Sequence, residues 1–524
     1  MAHQSEAKTL SASGSLDLAL VHVPDSNGTF LKSIDQCRYW IFAAILVLYL
    51  LGFNGQWHFG PDSALHLGIA RNIATGQGFF YTGGEQAQVH PGLAYLVAST
   101  FWVFGSEGLV PVHFLMLLIG LVALSLNFAI VSMHSGRAVG VLVTALLATT
   151  ETFYRYAFQV LTDLPFLVGL LLCLAGFQIA EQSKRARWWP GMLVMLGVMT
   201  MAVFRSVVLT ALVAVVLALI WSIVVGRRRV YSCVLLLILI ASLMVVRVSD
   251  PRSSGLLNPL PDEQSLHRFV ADVPPHISEH KLVKNLQLLL TEATCEAMFA
   301  IDLGPIVSLP LSLVVLGLGI GLIRTRILWG LLVLVFIGQW LLVLVSDRYF
   351  LPVLPLLIYG WWRGACWLSS RVGGVWSVRL MATALLLWFV PNLIKIGDFV
   401  IDQQSVPFVH TYQDGKYERI VELANWLKAN SPDDALVLTN VDFPREFSFL
   451  SGRKVERLRR LRGWDPQGSK VYVLEGTDEV ANRLAATKLR RRGWSLGSLV
   501  GAVSSVDHRL PCSLRSVEIM DHSK

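Results

Sequence analysis

Eleven stretches of the chain are almost wholly apolar: 38–54, 109–131, 138–151, 164–180, 190–204, 206–225, 230–248, 304–323, 327–346, 351–369 and 379–396. A helix needs about 20 apolar residues to cross a bilayer. The pattern therefore predicts a polytopic α-helical membrane protein with about 11 transmembrane helices. Gly191–Val225 carries a single charge, Arg205. As one helix it would reach about 52 Å, too long for one span. A hairpin turning at Phe204-Arg205-Ser206 is predicted instead. His90–Phe104 (HPGLAYLVASTFWVF) is short for a span and opens with His-Pro-Gly. It reads as a juxtamembrane or re-entrant helix on the outer face.

The basic residues orient these spans. They cluster at Lys32/Arg38, Arg137, Lys184/Arg185/Arg187, Arg227/Arg228/Arg229, Arg324/Arg326 and Arg371/Arg379. With a cytoplasmic N-terminus, eleven spans put every cluster on the cytoplasmic side, as the positive-inside bias asks, provided 90–104 does not cross. The outer face then receives 54–108, 152–163, 249–303 and everything after about Ile396. Three parts follow: a cytoplasmic tail 1–37, a membrane domain 38–396 with outer loops 54–108 and 249–303, and a C-terminal domain 397–524. The tail has no basic region leading into an early apolar stretch, so a cleaved signal peptide is not expected. Asn27-Gly28-Thr29 matches a glycosylation acceptor, but on the cytoplasmic side it reads as chance.

Composition agrees: 54% hydrophobic and 15% charged residues in 524 exclude a disordered chain and an ordinary soluble enzyme. The net charge of +8 resides largely in short loops, so it fixes orientation and does not point to nucleic acid. Six cysteines form no CxxC and no Cys/His cluster, which argues against a thiolate metal site. Cys295 and Cys512 both fall on the predicted outer face, and a disulfide between them is open. In the loop 249–303 a helix is expected near His280–Ala300. In the C-terminal domain, YERIVELANWLKAN reads as an amphipathic helix with Ile420, Val421, Ala424 and Leu427 at helical spacing. ALVLTN and KVYVLEG read as strands and EVANRLAATKLRRRG as a second helix, so a small α/β domain is expected. The basic run Gly452–Trp464 reads as a solvated face or an anionic-lipid contact.

The candidate chemistry lies at the outer ends of the spans. Asp62 is placed to cap a helix over Ser63–Thr75 that closes at Gly76. Leu65, Ile69 and Ile73 would give that helix an apolar edge for the bilayer. His66 shares the face of Asp62, and Arg71 could reach lipid phosphates. The next outer segment brings Glu151, Arg155 and Asp163, the last at a helix start before Leu-Pro. Arg205 tops the hairpin, and SDRYFLPVLPLL puts Asp347, Arg348 and Tyr349 at another span's outer end. Outward arginines run against the general bias. Beside acids at membrane depth they suit a lipid-phosphate substrate, since a guanidinium offers phosphate a planar fork of donors.

This arrangement resembles the GT-C membrane glycosyltransferases, and more narrowly their bacterial members akin to protein O-mannosyltransferases and the lipid A aminoarabinose transferase (glycosyltransferase 39-like). The matching stretches are PDSALHLGIARNIATGQGF, HPGLAYLVA, LTDLPF and DRYFLPVLPLL, in that order, with a C-terminal outer domain. The resemblance implies transfer of a sugar from a polyprenyl-phosphate donor to a lipid, glycan or protein acceptor. It implies Asp62 as general base, Asp163 as an assisting acid, and Arg205 and Arg348 as holders of the lipid phosphate. His66, His90, Arg155 and Tyr349 would complete the substrate-binding set. His90-Pro91-Gly92 departs from the relatives' Pro-Pro pair, and a titratable histidine replaces a fixed cation. No cofactor is expected, and the chain has no Asp-x-Asp pair to suggest a required divalent metal. The alternatives are a transporter or flippase of a lipid-linked substrate, and a non-catalytic membrane scaffold. The enzyme reading requires Asp62, Asp163 and an arginine to meet in one place.

Overall fold

In the computed structural model the described residues are 25–55, 57, 60–82, 87, 89–104, 108–182, 188–225, 236, 279–342, 346–372, 374–405, 416–439, 444–457, 470–475, 486, 487, 489, 494–502 and 513–519. The apolar run 230–248, the first part of the loop 249–303, Cys512, the basic residues after Arg457 and most of the helix expected over 479–493 lie outside them.

The apolar runs among the described residues become helices, and further helices form between them. They are α1 (Asp25–Gln36), α2 (Arg38–Gly52), α3 (Pro61–Ala74), α4 (Gly92–Phe104), α5 (Val110–Ser135), α6 (Arg137–Ala148), α7 (Glu151–Tyr156), α8 (Asp163–Gln182), α9 (Trp189–Phe204) and α10 (Val208–Val224). Then come α11 (Glu279–Leu288), which passes through a π-helical turn into α12 (Thr294–Phe299), α13 (Gly304–Gly321), α14 (Ile327–Leu342), α15 (Leu354–Val372) and α16 (Gly374–Ser405). Among the described residues four helices are long and apolar enough to cross a membrane, or five if α1 and α2, bent by 65° at their junction, form one span. Helices α4, α6, α9, α10 and α14 are apolar but shorter. The chain is thus a multi-pass helical membrane protein.

The hairpin predicted around Arg205 forms, with Arg205 extended between α9 and α10. Its two arms part company. Helix α9 packs along α8, while α10 leans on α14. Glycines permit the first contact: a Cβ on Gly197 would lie 2.5 Å from the Gly169 carbonyl oxygen, and one on Gly169 would lie 2.8 Å from that of Gly197. Small residues let helix backbones approach where lipid offers no hydrophobic drive. Several buried side chains hydrogen-bond to backbone carbonyls of neighbouring helices, as hydrocarbon favours. Tyr49 donates to the Ala148 carbonyl at 3.1 Å, Tyr154 to that of Leu48 at 2.8 Å, and Trp388 to that of Leu146 at 3.1 Å. Cys295 is a buried free thiol against Ser308 and Ser312.

The last apolar helix continues to Ser405, and the Asn54 amide donates to the Gln403 carbonyl at 2.8 Å. Beyond it the chain builds an α/β domain: α17 (Lys416–Asn430), β1 (Leu436–Thr439), α18 (Pro444–Ser451), β2 (Lys454–Arg457), β3 (Val471–Glu475), β4 (Trp494–Ala502) and β5 (Ser513–Ile519). The sheet order is β2-β1-β3-β5-β4, with β1 parallel to both β2 and β3 and the β5 pairings antiparallel. Alternation along the central strands splits two apolar layers. Val437, Tyr472 and Leu474 join a core that runs on through Leu427 and Phe447 into the membrane part. Leu436, Leu438, Val471 and Val473 pack on Leu489 on the other face.

Candidate active site

Asp62 is not the cap of its helix. Pro61 takes the first helical position, where a missing N–H costs nothing, and Gly60 is the N-cap. The Ser63 hydroxyl closes the turn by donating to the Gly60 carbonyl at 2.8 Å while accepting from the Trp57 indole at 2.9 Å. Gly76, at φ +79°, ends the helix as expected. The Asp62 carboxylate is therefore free of a capping role and points to other partners. The apolar edge does not lie on lipid either. Ile69 and Ile73 are buried against protein, because α3 is sandwiched between α4 and α18.

Three arginines from distant parts of the chain converge on two carboxylates. Arg348 Nη1 donates to Asp62 Oδ2 at 2.9 Å. Arg445 Nη1 lies 3.6 Å from the other oxygen, Oδ1. Arg205 is ion-paired with Asp163, the first residue of α8, whose side chain is 2% exposed. Arg205 also feels the charges of Arg348 and Asp62. Tyr349 ties the two arginines together: the Arg205 guanidinium sits 5.4 Å and that of Arg348 5.0 Å from its ring centroid. Arg348 Nη2 further donates to the Tyr349 hydroxyl at 3.4 Å.

His66, one turn after Asp62, lines the same place and is 6% exposed. Burial pushes its imidazole from 6.5 down to about 4, against the pull of Asp62 and with help from His90, Arg205 and Arg445. It is neutral at physiological pH, and its Nδ1 has no hydrogen-bond partner among the described residues. His90 precedes α4, whose N-terminus lies against the tip of the hairpin. A Cβ on Gly92 would come within 2.9 Å of the Val203 carbonyl oxygen, so the close approach of the two backbones there leaves no room for a side chain.

Arg155 belongs to a second cluster. It pairs with Glu151, one helical turn away, at 3.1 Å and with Asp347. Tyr156 and Ser346 donate to Asp347 at 3.2 and 3.0 Å. The Glu151 N–H donates to Asn392 Oδ1 at 2.7 Å. The structure does not bring Arg155 to Asp62.

Arg445 was not assigned to this region by sequence, and Arg71 was expected to reach lipid phosphates. Arg71 does not reach for lipid: its Nη1 donates to the Phe449 carbonyl at 2.8 Å, with the guanidinium 4.3 Å from the Phe449 ring centroid. Within the basic run, Arg453 is neither solvated nor a lipid contact. It is buried and donates to Ser431 Oγ at 2.9 Å, to the Ser431 carbonyl at 2.7 Å and to the Lys428 carbonyl at 3.1 Å, binding α17 to α18. Among the described residues no three His, Cys, Asp or Glu side chains gather as metal ligands.

A family model described as dolichyl-phosphate-mannose-protein mannosyltransferase matches residues 88–248. No curated protein matches the sequence. Among solved structures, the chain is similar to ArnT from Cupriavidus metallidurans in the apo state, with a TM-score of 0.57 and 13% identity over 91% of this chain and 97% of that one. The form of ArnT bound to undecaprenyl phosphate gives 0.56 and 12% over the same shares. An Archaeoglobus fulgidus oligosaccharyltransferase tethered with an acceptor peptide gives 0.51 and 12%, over 80% of this chain and 64% of that one. At such identities the likeness is one of fold. Together with the family model, it bears out the GT-C resemblance read from the sequence.

Proposed function

We propose that this protein is an integral-membrane glycosyltransferase that moves a sugar from a polyprenyl-phosphate donor to an acceptor hydroxyl. The observation that carries the reading is the meeting of Asp62 and Asp163 with Arg205 and Arg348 in one place. The fold of ArnT, which binds undecaprenyl phosphate, adds support.

In the reaction, the Asp62 carboxylate takes the proton of the acceptor hydroxyl. The hydroxyl oxygen attacks the anomeric carbon, and the bond from that carbon to the phosphate oxygen breaks. The electron pair leaves with the polyprenyl phosphate. A sugar already on phosphate carries its own leaving group, so a second carboxyl to protonate it is not needed. Arg348 and Arg205 receive the growing negative charge on phosphate. In the resting protein the same arginines hold Asp62 and Asp163. Asp163, buried against Arg205, orients that guanidinium. Neutral His66 offers a hydrogen bond to a sugar hydroxyl without adding charge. Membrane lipids and an acceptor on lipid, glycan or protein are the remaining partners. The basic clusters favour an inner-membrane protein of about eleven spans, with a cytoplasmic N-terminus and with the site and C-terminal domain facing the periplasm.

Asp62→Asn tests the reading. Asparagine keeps the shape and cannot accept the proton. Purified, folded D62N offered labelled polyprenyl-phosphate sugar should lose about 10³-fold in transfer rate. Undiminished transfer removes Asp62 from the mechanism.

A further inference from the structure

We infer that Arg445, carried by the C-terminal domain, is a third cation of the donor-phosphate site, so that the docked domain takes part in holding the donor. This rests on the lipid-phosphate reading above.

The fold aims Arg445 at the site. It lies on α18, the element that follows strand β1. Beyond the carboxyl ends of parallel strands α/β domains place their ligand-binding residues. Helix α18 packs on α3, and its anchor is separate from Arg445. Phe449 provides it, with its ring 4.9 Å from that of Trp57 and its carbonyl taking Arg71. Arg445 itself makes no part of that anchor. Its side chain is 50% exposed and that of Asp62 40%, so the two face each other across an open rim. The 3.6 Å separation is looser than the 2.9 Å pair of Arg348 with the other carboxylate oxygen. A guanidinium held so loosely beside Arg348 is placed to add its fork to an entering phosphate.

Charge points the same way. Among the described residues that pair at this place, Arg205, Arg348 and Arg445 face Asp62 and Asp163, while His66 is neutral, leaving these five charged groups with one positive charge in excess. A phosphodiester-linked sugar carries one negative charge and balances the site. Without Arg445 the site would be neutral before the donor arrived and anionic after. Arg445 is thus a phosphate-binding residue, supplied by a domain outside the membrane bundle.

The test uses full-length protein in phosphatidylethanolamine/phosphatidylglycerol nanodiscs, with undecaprenyl phosphate as probe and undecaprenol as the phosphate-free control. Arg445→Ala should weaken undecaprenyl phosphate binding about 10-fold and leave undecaprenol binding unchanged. Arg445→Lys should recover part of the loss. In turnover the donor KM should rise by a similar factor with kcat changed less than about 3-fold. Amide exchange over 61–74 should stay protected in R445A. Phe449→Ala should expose that segment and weaken phosphate binding about as much, and the double variant should be no worse. Unchanged undecaprenyl phosphate binding in R445A overturns the inference and leaves the glycosyltransferase reading standing. Loss of 61–74 protection in R445A also overturns it, because Arg445 would then be a structural strut. Wild-type protein that binds undecaprenol as well as undecaprenyl phosphate overturns both readings.

Discussion

Two charged clusters stand back to back across the turn Asp347–Phe350. Asp347 faces Glu151, Arg155 and Tyr156, while its neighbour Arg348 faces Asp62, Arg205 and Arg445. In the first, one arginine serves two carboxylates, all three side chains are largely shielded, and every partner comes from the helical part. In the second, three arginines share two carboxylates, Asp62 is 40% exposed, and one arginine arrives from a separate domain. On the proposed function, the difference is that between a strut and a site. A charge at membrane depth is a functional candidate, but the surplus of one sign, and an open path to it, decides whether a substrate can use it.

The largest effect that should divide the clusters is on turnover. Arg348→Ala removes the tighter holder of Asp62 and, on the proposed function, a phosphate ligand together. Transfer measured as kcat/KM should fall by about 10³-fold, and Arg348→Lys should restore only part, because an ammonium lacks the planar fork. The pair is partly solvent-exposed, so R348A should melt close to the wild type. A variant that melts far lower would place Arg348 with the struts.

Arg155→Ala should do the converse. It leaves Glu151 and Asp347 shielded and unpaired, and breaking such a pair costs about 3 kcal/mol. The thermal midpoint in detergent should drop by several degrees. Transfer per folded molecule should stay within about 3-fold of the wild type. A loss of transfer as large as that of R348A, in protein that remains folded, would merge the two clusters into one site.

How much of this was legible in the sequence depends on the reach of the signal. The spans and the turn at Arg205 follow from runs of apolar residues, a local property. The pairing of Arg155 with Glu151 was within reach too, since the two stand at i,i+4. So was the true start of α3: Pro61 belongs at the first helical position, which moves the cap back to Gly60. Asp347 as the second partner of Arg155, and Arg445 as a partner of Asp62, were not legible, because nothing local to either residue encodes a contact across the fold. Periodicity likewise marked Ile69 and Ile73 as an apolar edge but could not tell lipid from protein as its partner. In the C-terminal domain β1 and β3 are buried on both faces and read as plain apolar runs. Strand β4 carries two glycines and departs from regular register opposite β5, and it was missed.

The smallest effect isolates the neutral member of the open cluster. His66 is held at about 4 by burial, against 6.5 when solvated. Between those values the unfolded chain binds a proton that the folded one refuses, so stability must rise with pH there and reach its full value above about 6.5. From pH 7 to pH 5.5 this one group should cost about 1 kcal/mol of folded-state stability. His66→Gln removes the titration while keeping hydrogen-bonding groups at a similar reach. Melting curves of both proteins across that window should therefore converge at the acid end, the wild type falling more steeply. Parallel curves would mean that the folded imidazole titrates as it does in water. His66 would then be cationic at acid pH, joining the three arginines as a fourth positive charge, and the charge balance that distinguishes the open cluster from the closed one would have to be redrawn.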